Sequence, residues 1–229
     1  MEKLGIFFTC FNETRAVEFA LKSVNTIYRG IPIYLVSEGK DFSYLSSQYN
    51  LHYSQEEDTM TDTFKVTNVN FKEPIHQQTI KKAALAVISR LKECIKWCDT
   101  EYILMMDPDC FVRGPLNIPQ NVKLLGSRVN KGFPQAYKDV LSSIPGAVII
   151  DEWGATPGIF HVDTFLKGCK VLEENPSMMD RFCFSFNGMY AHDVLLPTLF
   201  ALVGERETFN PDIIECKRDP SWLHKPNPL

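Results

Sequence analysis

The chain of 229 residues has no surplus of positive charge: 24 Lys+Arg stand against 28 Asp+Glu, a formal net charge of −4. A nucleic-acid surface usually leaves a basic balance or a basic stripe, and neither is present, so no nucleic-acid partner is expected. Long apolar runs are also missing. Leu195–Val203 is the most apolar later stretch, far short of the roughly 20 residues a membrane span needs, so no transmembrane segment is expected. No amphipathic basic helix marks a membrane surface. The 7 cysteines contain no CxxC pair; Cys94 and Cys98 stand one helical turn apart, which suits two thiols on a helix face and not a zinc ribbon. Reduced, buried thiols and a cytoplasmic location are expected from that usage. Internal repeats, low-complexity tracts and linkers are absent, so one domain over residues 1–229 is expected. The opening residues Met1-Glu2-Lys3 and Leu4–Phe11 imitate a short signal peptide. Asn12-Glu13-Thr14-Arg15 then interrupts with no small-residue cleavage site, so a first core strand is the better reading.

What is present is a globular composition, 45% hydrophobic and 23% charged. A chain of this length buries roughly 70–75% of its unfolded surface and needs no staple. Strand-like and helix-like segments alternate. Leu4–Cys10 is a continuous apolar run; Ala16–Tyr28 carries Val17, Ala20, Leu21, Val24 and Ile27 at helical spacing. Ile31–Ser37 reads as a second buried strand, Asp41–Ser47 as a short helix and Leu51–Ser54 as a third strand. Residues 55–63 read as a solvated acidic loop. The longest helix is expected from about Ile75 to Cys98, with Ile80, Ala84, Val87, Ile88, Leu91 and Ile95 on one face and Lys81, Lys82, Arg90, Lys92 and Lys96 elsewhere. Tyr102–Met106 follows as a fully apolar strand. The second half is less regular: strands at Val122–Leu125 and Gly158–Val162, helices near Pro134–Leu141, Asp163–Glu173 and Val194–Val203. The pattern predicts an α/β fold with a mostly parallel sheet flanked by helices. Ligands of such sheets bind beyond the carboxyl ends of the strands, where the turns Thr9–Glu13, Ser37–Asp41 and Asp107–Asp109 converge.

Asp107-Pro108-Asp109 is the strongest local signal. Two carboxylates one residue apart at the end of a buried strand repel each other unless a cation lies between them. Mg²⁺ or Mn²⁺ does this and shares such carboxylates with substrate phosphates. The alternative is a solvated acidic turn with Pro108 as its corner.

Together these features resemble a GT-A fold glycosyltransferase with a DxD motif. The resemblance rests on a first strand ending in Phe-Thr-Cys-Phe-Asn12-Glu13, a second ending in Leu-Val-Ser37-Glu38-Gly39, and a long helix feeding a DxD strand. It implies a single GT-A (Rossmann-like) domain, with residues of about 1–110 binding the nucleotide and about 111–229 serving donor sugar and acceptor. Thr9, Phe11, Asn12 and Glu38 would then surround base and ribose, with Asp107 on ribose or sugar and also, like Asp109, on the metal. Trp222-Leu223-His224-Lys225-Pro226-Asn227 resembles the C-terminal segment of metal-dependent relatives, in which His224 would complete the Mn²⁺ (or Mg²⁺) shell and Lys225 would face the diphosphate. Imidazole suits Mn²⁺; a frayed tail is the plain alternative. Asp193 resembles the acidic residue beside the acceptor, a candidate general base with His192 on a sugar or phosphate, although Asp193 is equally a good helix cap. Glu152 and Trp153 are candidates for the sugar or acceptor pocket, or else loop and core. His161 reads as a packed or hydrogen-bonded histidine.

The function implied is transfer of a sugar from a nucleoside diphosphate sugar, UDP favoured, to a glycan or other hydroxyl acceptor. Two other classes compete. A haloacid-dehalogenase-type phosphatase or phosphotransferase also uses Asp-x-Asp, though normally on its first strand. A non-catalytic nucleotide-sugar binding module on the same fold would bind without turnover.

Overall fold

A computed structural model describes residues 4–59, 74–108, 110–112, 114–126, 132–154, 157–185 and 192–209, with the backbone alone for 74–76, 184, 185, 192 and 193. Seven strands form one sheet: β1 (Leu4–Cys10), β2 (Ile33–Ser37), β3 (Leu51–Gln55), β4 (Tyr102–Met106), β5 (Leu124–Gly126), β6 (Gly158–His161) and β7 (Glu207–Phe209). Their order is β3-β2-β1-β4-β6-β5-β7. The first four are mutually parallel, with Phe8 opposite Leu35 on one side and Met106 on the other. β6 runs antiparallel to both β4 and β5, and β7 is parallel to β5. The sheet is therefore mixed but mostly parallel, with β6 the one antiparallel strand among those described.

The helices are α1 (Thr14–Ile27), α2 (Pro74–Cys98), α3 (Gln135–Ser142), α4 (Val162–Glu174), α5 (Pro176–Ser185) and α6 (His192–Ala201), with a short 3-10 turn at Ser43–Ser47. Continuous apolar strands bury both faces, and alternation decides which side chain goes where. Ile6, Phe8, Leu35, Leu104 and Met106 meet Val17, Ala20, Leu21 and Val24 of α1. Phe7, Tyr34, Ile103 and Met105 belong to the opposite cluster, with Leu91 of α2, Phe165 of α4 and Phe200 of α6. Each such side chain contributes about 1.5–3 kcal/mol when fully buried.

Asp99 stops α2 with φ at 48° and gives its N–H to the Ile95 carbonyl at 3.0 Å. Aspartate tolerates the left-handed region better than most residues. The six described cysteines are all free and buried, with Cys94 Sγ 3.8 Å from Cys98 Sγ; Cys216 lies outside the described residues. Among the described residues no helix is long and apolar enough to cross a membrane.

Candidate functional site at the carboxyl edge

The sheet order carries the first positional fact. From β1 the chain proceeds outward to β2 and β3 on one side, and β4 lies on the other. The crevice between the carboxyl ends of β1 and β4 is thus a topological switch point, the usual ligand position of open α/β sheets. Phe11 and Asn12 leave β1 on one side of it, and Asp107 leaves β4 on the other.

The turn after β1 is fixed from within. Glu13 Oε2 accepts the N–H groups of Phe11 and Asn12 at 3.2 and 2.9 Å. Thr9 and Phe11 are half-buried and Asn12 is exposed. This turn interlocks with the one after β2. Glu38 donates its N–H to Cys10 O at 3.1 Å and Lys40 donates its own to Phe11 O at 2.8 Å. Gly39 must be glycine for space: a Cβ there would lie 2.7 Å from Phe11 O and 3.0 Å from Asn12 Oδ1.

Glu38 lies at the end of β2, as expected, but its carboxylate is engaged in the protein interior. Arg90 Nη1 donates to Oε1, and Thr59 Oγ1 donates to the same oxygen at 2.8 Å. Arg90 Nη2 reaches the Glu57 carbonyl at 3.1 Å. Both ionic side chains are buried, 7% and 5% exposed. The sequence sets Arg90 apart from the apolar face of the long helix, yet the structure buries it. A signal for it did exist, because Arg90 continues the stripe Ala83, Val87 and Cys94 at helical spacing. Lys81 and Lys82 are held by Asp180 and Glu57 at 2.7 and 2.8 Å.

Asp107 is half-buried at the carboxyl end of β4. Its carbonyl accepts the Cys110 N–H at 3.0 Å, closing a turn with Pro108 at the corner. The chain then returns to α1, where Val112 N–H donates to Ser23 Oγ at 3.0 Å. An oxygen donor at this point fits a hard divalent cation. Asp109, His224 and Lys225 lie outside the described residues, and among the described residues no three His, Cys, Asp or Glu side chains form a group that could hold a metal ion.

The other flank of the edge is formed by the start of β6 and the ends of β5 and β7, since Gly158 pairs with both Met105 and Gly126, and Gly126 with Phe209. The segment entering β6 holds Glu152, exposed, and Trp153, only 3% exposed. The Trp153 ring packs on Phe133 with centroids 4.9 Å apart. It belongs to the core, the second of the two readings the sequence allowed, and is not an open platform for a sugar ring. Asp151 is held by Lys138 at 2.5 Å, and that hydrogen bond lowers its pKa.

Glu207, which sequence reasoning missed, anchors the same segment. Its Oε2 accepts the Gly154 N–H at 2.7 Å, and a Cβ on Gly126 would fall 2.2 Å from its Oε1. A three-residue edge strand carries too little pattern to reveal this beforehand.

His192 and Asp193 open α6, with their side chains outside the described residues. Residues 202–206 join the last turn of α6 to the amino end of β7, with Glu205 N–H on Phe200 O at 3.0 Å. The opening turn lies about 15 Å along the helix from that end. Pro197 has no N–H to offer the carbonyl of residue 193, which loosens this opening. His161 caps α4 instead, with Nδ1 3.0 Å from Thr164 Oγ1, on the opposite edge of the sheet.

No protein-family model matches the sequence, and no curated protein matches it either. Solved structures do match. Core-mannan synthase A (CmsA/Ktr4) from Aspergillus fumigatus, in its Mn/GDP form, superposes with a TM-score of 0.62 at 9% identity, covering 93% of this chain and 74% of that one. The mannosyltransferase Ktr4p from S. cerevisiae gives 0.60 at 9% identity, covering 93% of this chain and 69% of that one. The fold is GT-A. A GT-A sheet with β6 antiparallel to β4 also removes the haloacid-dehalogenase alternative at the level of architecture.

Proposed function

We propose that the chain is a metal-dependent glycosyltransferase that moves a sugar from a nucleoside diphosphate sugar to an acceptor hydroxyl. The observation that carries the reading is Asp107 at the carboxyl end of β4, beside the β1 strand that leads into the Phe11-Asn12 turn, at the switch point of a GT-A sheet. In this reading the first half, to about residue 110, holds the nucleotide: Thr9, Phe11 and Asn12 border base and ribose, and Glu38 shapes the wall beside them. Asp107 contacts ribose or sugar. Asp107 and Asp109, with His224, would hold Mn²⁺ (or Mg²⁺), and Lys225 would face the diphosphate. When bound, the ion supplies Lewis-acid stabilisation of the charge that collects on the departing diphosphate.

The second half serves the acceptor. Asp193 takes the proton of the acceptor hydroxyl, a role worth typically about 10²–10⁴-fold, with His192 hydrogen-bonding sugar or phosphate. Glu152 remains exposed and able to meet sugar hydroxyls. Holding donor and acceptor together supplies much of the remaining acceleration by removing entropy from the encounter. UDP is the commonest donor nucleotide that the family resemblance suggests, whereas the Mn/GDP form of the Aspergillus neighbour supports GDP. Both belong in the test.

The test is release of nucleoside diphosphate from a panel of GDP- and UDP-sugars with simple glycosides as acceptors, with and without Mn²⁺. Metal-dependent release that Asp193→Asn lowers by about 10²-fold or more is the expected result. Binding without turnover on any donor would favour the non-catalytic module. Absence of both binding and turnover with every donor would overturn the reading.

A further inference from the structure

We infer that Arg90 is a positioning residue for the donor site, acting through Glu38; the inference rests on the glycosyltransferase reading above. Residues 55–59 fold back over the turn that follows β2. Gln55 Nε2 donates to Gly39 O at 3.1 Å, and Glu56 N–H to Ser37 O at 2.9 Å. Thr59 closes on Glu38, as described above. Arg90 stands behind this fold-back and grips both layers at once, Glu38 through Nη1 and the Glu57 carbonyl through Nη2. Eight residues earlier on α2, Lys82 holds the Glu57 carboxylate at 2.8 Å.

Cohesion alone does not call for ions here. A buried pair is often replaceable by packed apolar side chains without loss of stability. Arg90 Nε is moreover buried with no hydrogen-bond partner among the described residues. What the guanidinium adds is direction. Its planar fork fixes the Glu38 carboxylate relative to Glu57, and Glu38 is backbone-bonded to Cys10 at the mouth of the switch-point crevice. Lysine, a point charge on a flexible stem, meets one of the two partners at a time.

The test is calorimetric titration of GDP and of UDP, each with Mn²⁺, into wild type, Arg90→Lys, Arg90→Met, Glu38→Gln and the double variant, with steady-state KM for donor and acceptor measured beside it. Thermal unfolding reports which variants fold; where Arg90→Met does not, Arg90→Lys carries the test. Nucleotide affinity is expected to fall about 10- to 100-fold in Arg90→Met and less in Arg90→Lys, the range typical of removing an outer partner of a binding group. Donor KM is expected to rise with the loss of affinity while acceptor KM stays within about twofold; a merely structural role would not produce that split, since loss of folded enzyme lowers kcat and leaves both KM values alone. Because Arg90 acts through Glu38, the double variant binds no more weakly than Glu38→Gln alone. Affinities multiplying in the double variant would assign Arg90 a direct contact and overturn the inference. So would Arg90 variants that bind nucleotide like wild type, in which case the functional reading stands. If wild type binds neither nucleotide, both fall.

Discussion

Helices α4 and α6 touch at Gly168, and this contact gives a prediction whose sign is settled by two competing magnitudes. A Cβ at position 168 would lie 2.4 Å from Leu199 O, 2.8 Å from its carbonyl carbon and 3.0 Å from its Cβ. The first two atoms are backbone and cannot swing aside, so α6 must retreat by roughly 1 Å to restore ordinary contact. Overpacking of this kind costs about 1–3 kcal/mol. Alanine in a helix interior returns about 0.5–1 kcal/mol over glycine. Gly168→Ala should therefore lose about 1–2 kcal/mol, a fall in Tm of about 2–8 °C for a domain of this size. Thermal and urea unfolding measure it. Gly114→Ala is the control: among the described residues no heavy atom lies within 4 Å of its would-be Cβ, and reduced unfolded-state entropy should leave it neutral or slightly stabilised, by about 0.4–1 kcal/mol. A Tm for Gly168→Ala equal to or above wild type would refute the close-approach argument. On the proposed assignment of Asp193 as base, retreat of α6 also moves the turn that opens the helix, so kcat should fall more steeply than stability, because displacements near 1 Å can cost about 10²-fold.

Arg90→Met strands the buried Glu38 carboxylate, so stability should drop by about 3–5 kcal/mol, some 6–20 °C in Tm, with most of it recovered when Glu38→Gln is added. Differential scanning calorimetry on the three variants decides this, and a single variant as stable as wild type would contradict it. Burial, and secondarily Lys123, lowers the His161 pKa below its ordinary 6.5. The unfolded chain thus takes up this proton first, so stability declines as pH falls from about 6.5, and His161→Gln should flatten that slope in urea titrations between about pH 5 and 7. Burial pushes the thiols of Cys10, Cys169 and Cys183 up to about 12. Iodoacetamide at pH 8 should leave them unmodified in the native protein and alkylate them after denaturation, as peptide mass mapping would show.

Strands β1, β2 and β4 were legible because each is a nearly unbroken apolar run bounded by polar turns, a pattern that buried strands produce and surface segments do not. Leu4–Cys10 and Tyr102–Met106 match their expected bounds. Convergence of the first, second and fourth turns followed directly from that parallelism. The antiparallel setting of β6 was not legible, because Gly158–His161 carries no local mark of direction. β7 escaped for a related reason: three residues of mixed burial pair with β5 across eighty intervening positions. Helix α5 was passed over, although Pro176 in its first turn and Met178, Met179, Phe182 and Cys183 on one side are signals of a helix. At the site, Asp107 and the β1 turn could be placed from sequence because strand ends fix them. Glu38 could be placed, but not its engagement. That depends on Arg90 arriving from a helix fifty residues later, and a charged residue on an apolar stripe reads as surface until its partner is known. Trp153 shows the converse: the sequence left pocket and core both open for it, and only the packing of Phe133 on its ring decides for the core.

The central claim is that the carboxyl edge between β1 and β4 binds a nucleoside diphosphate through a metal held at Asp107. The most direct measurement is calorimetric titration of GDP and of UDP into wild type and Asp107→Ala, each with and without Mn²⁺. The account predicts saturable binding of one nucleotide to wild type that requires Mn²⁺ and is lost in a folded Asp107→Ala. Absence of binding by either nucleotide, or equal binding by Asp107→Ala, would contradict it.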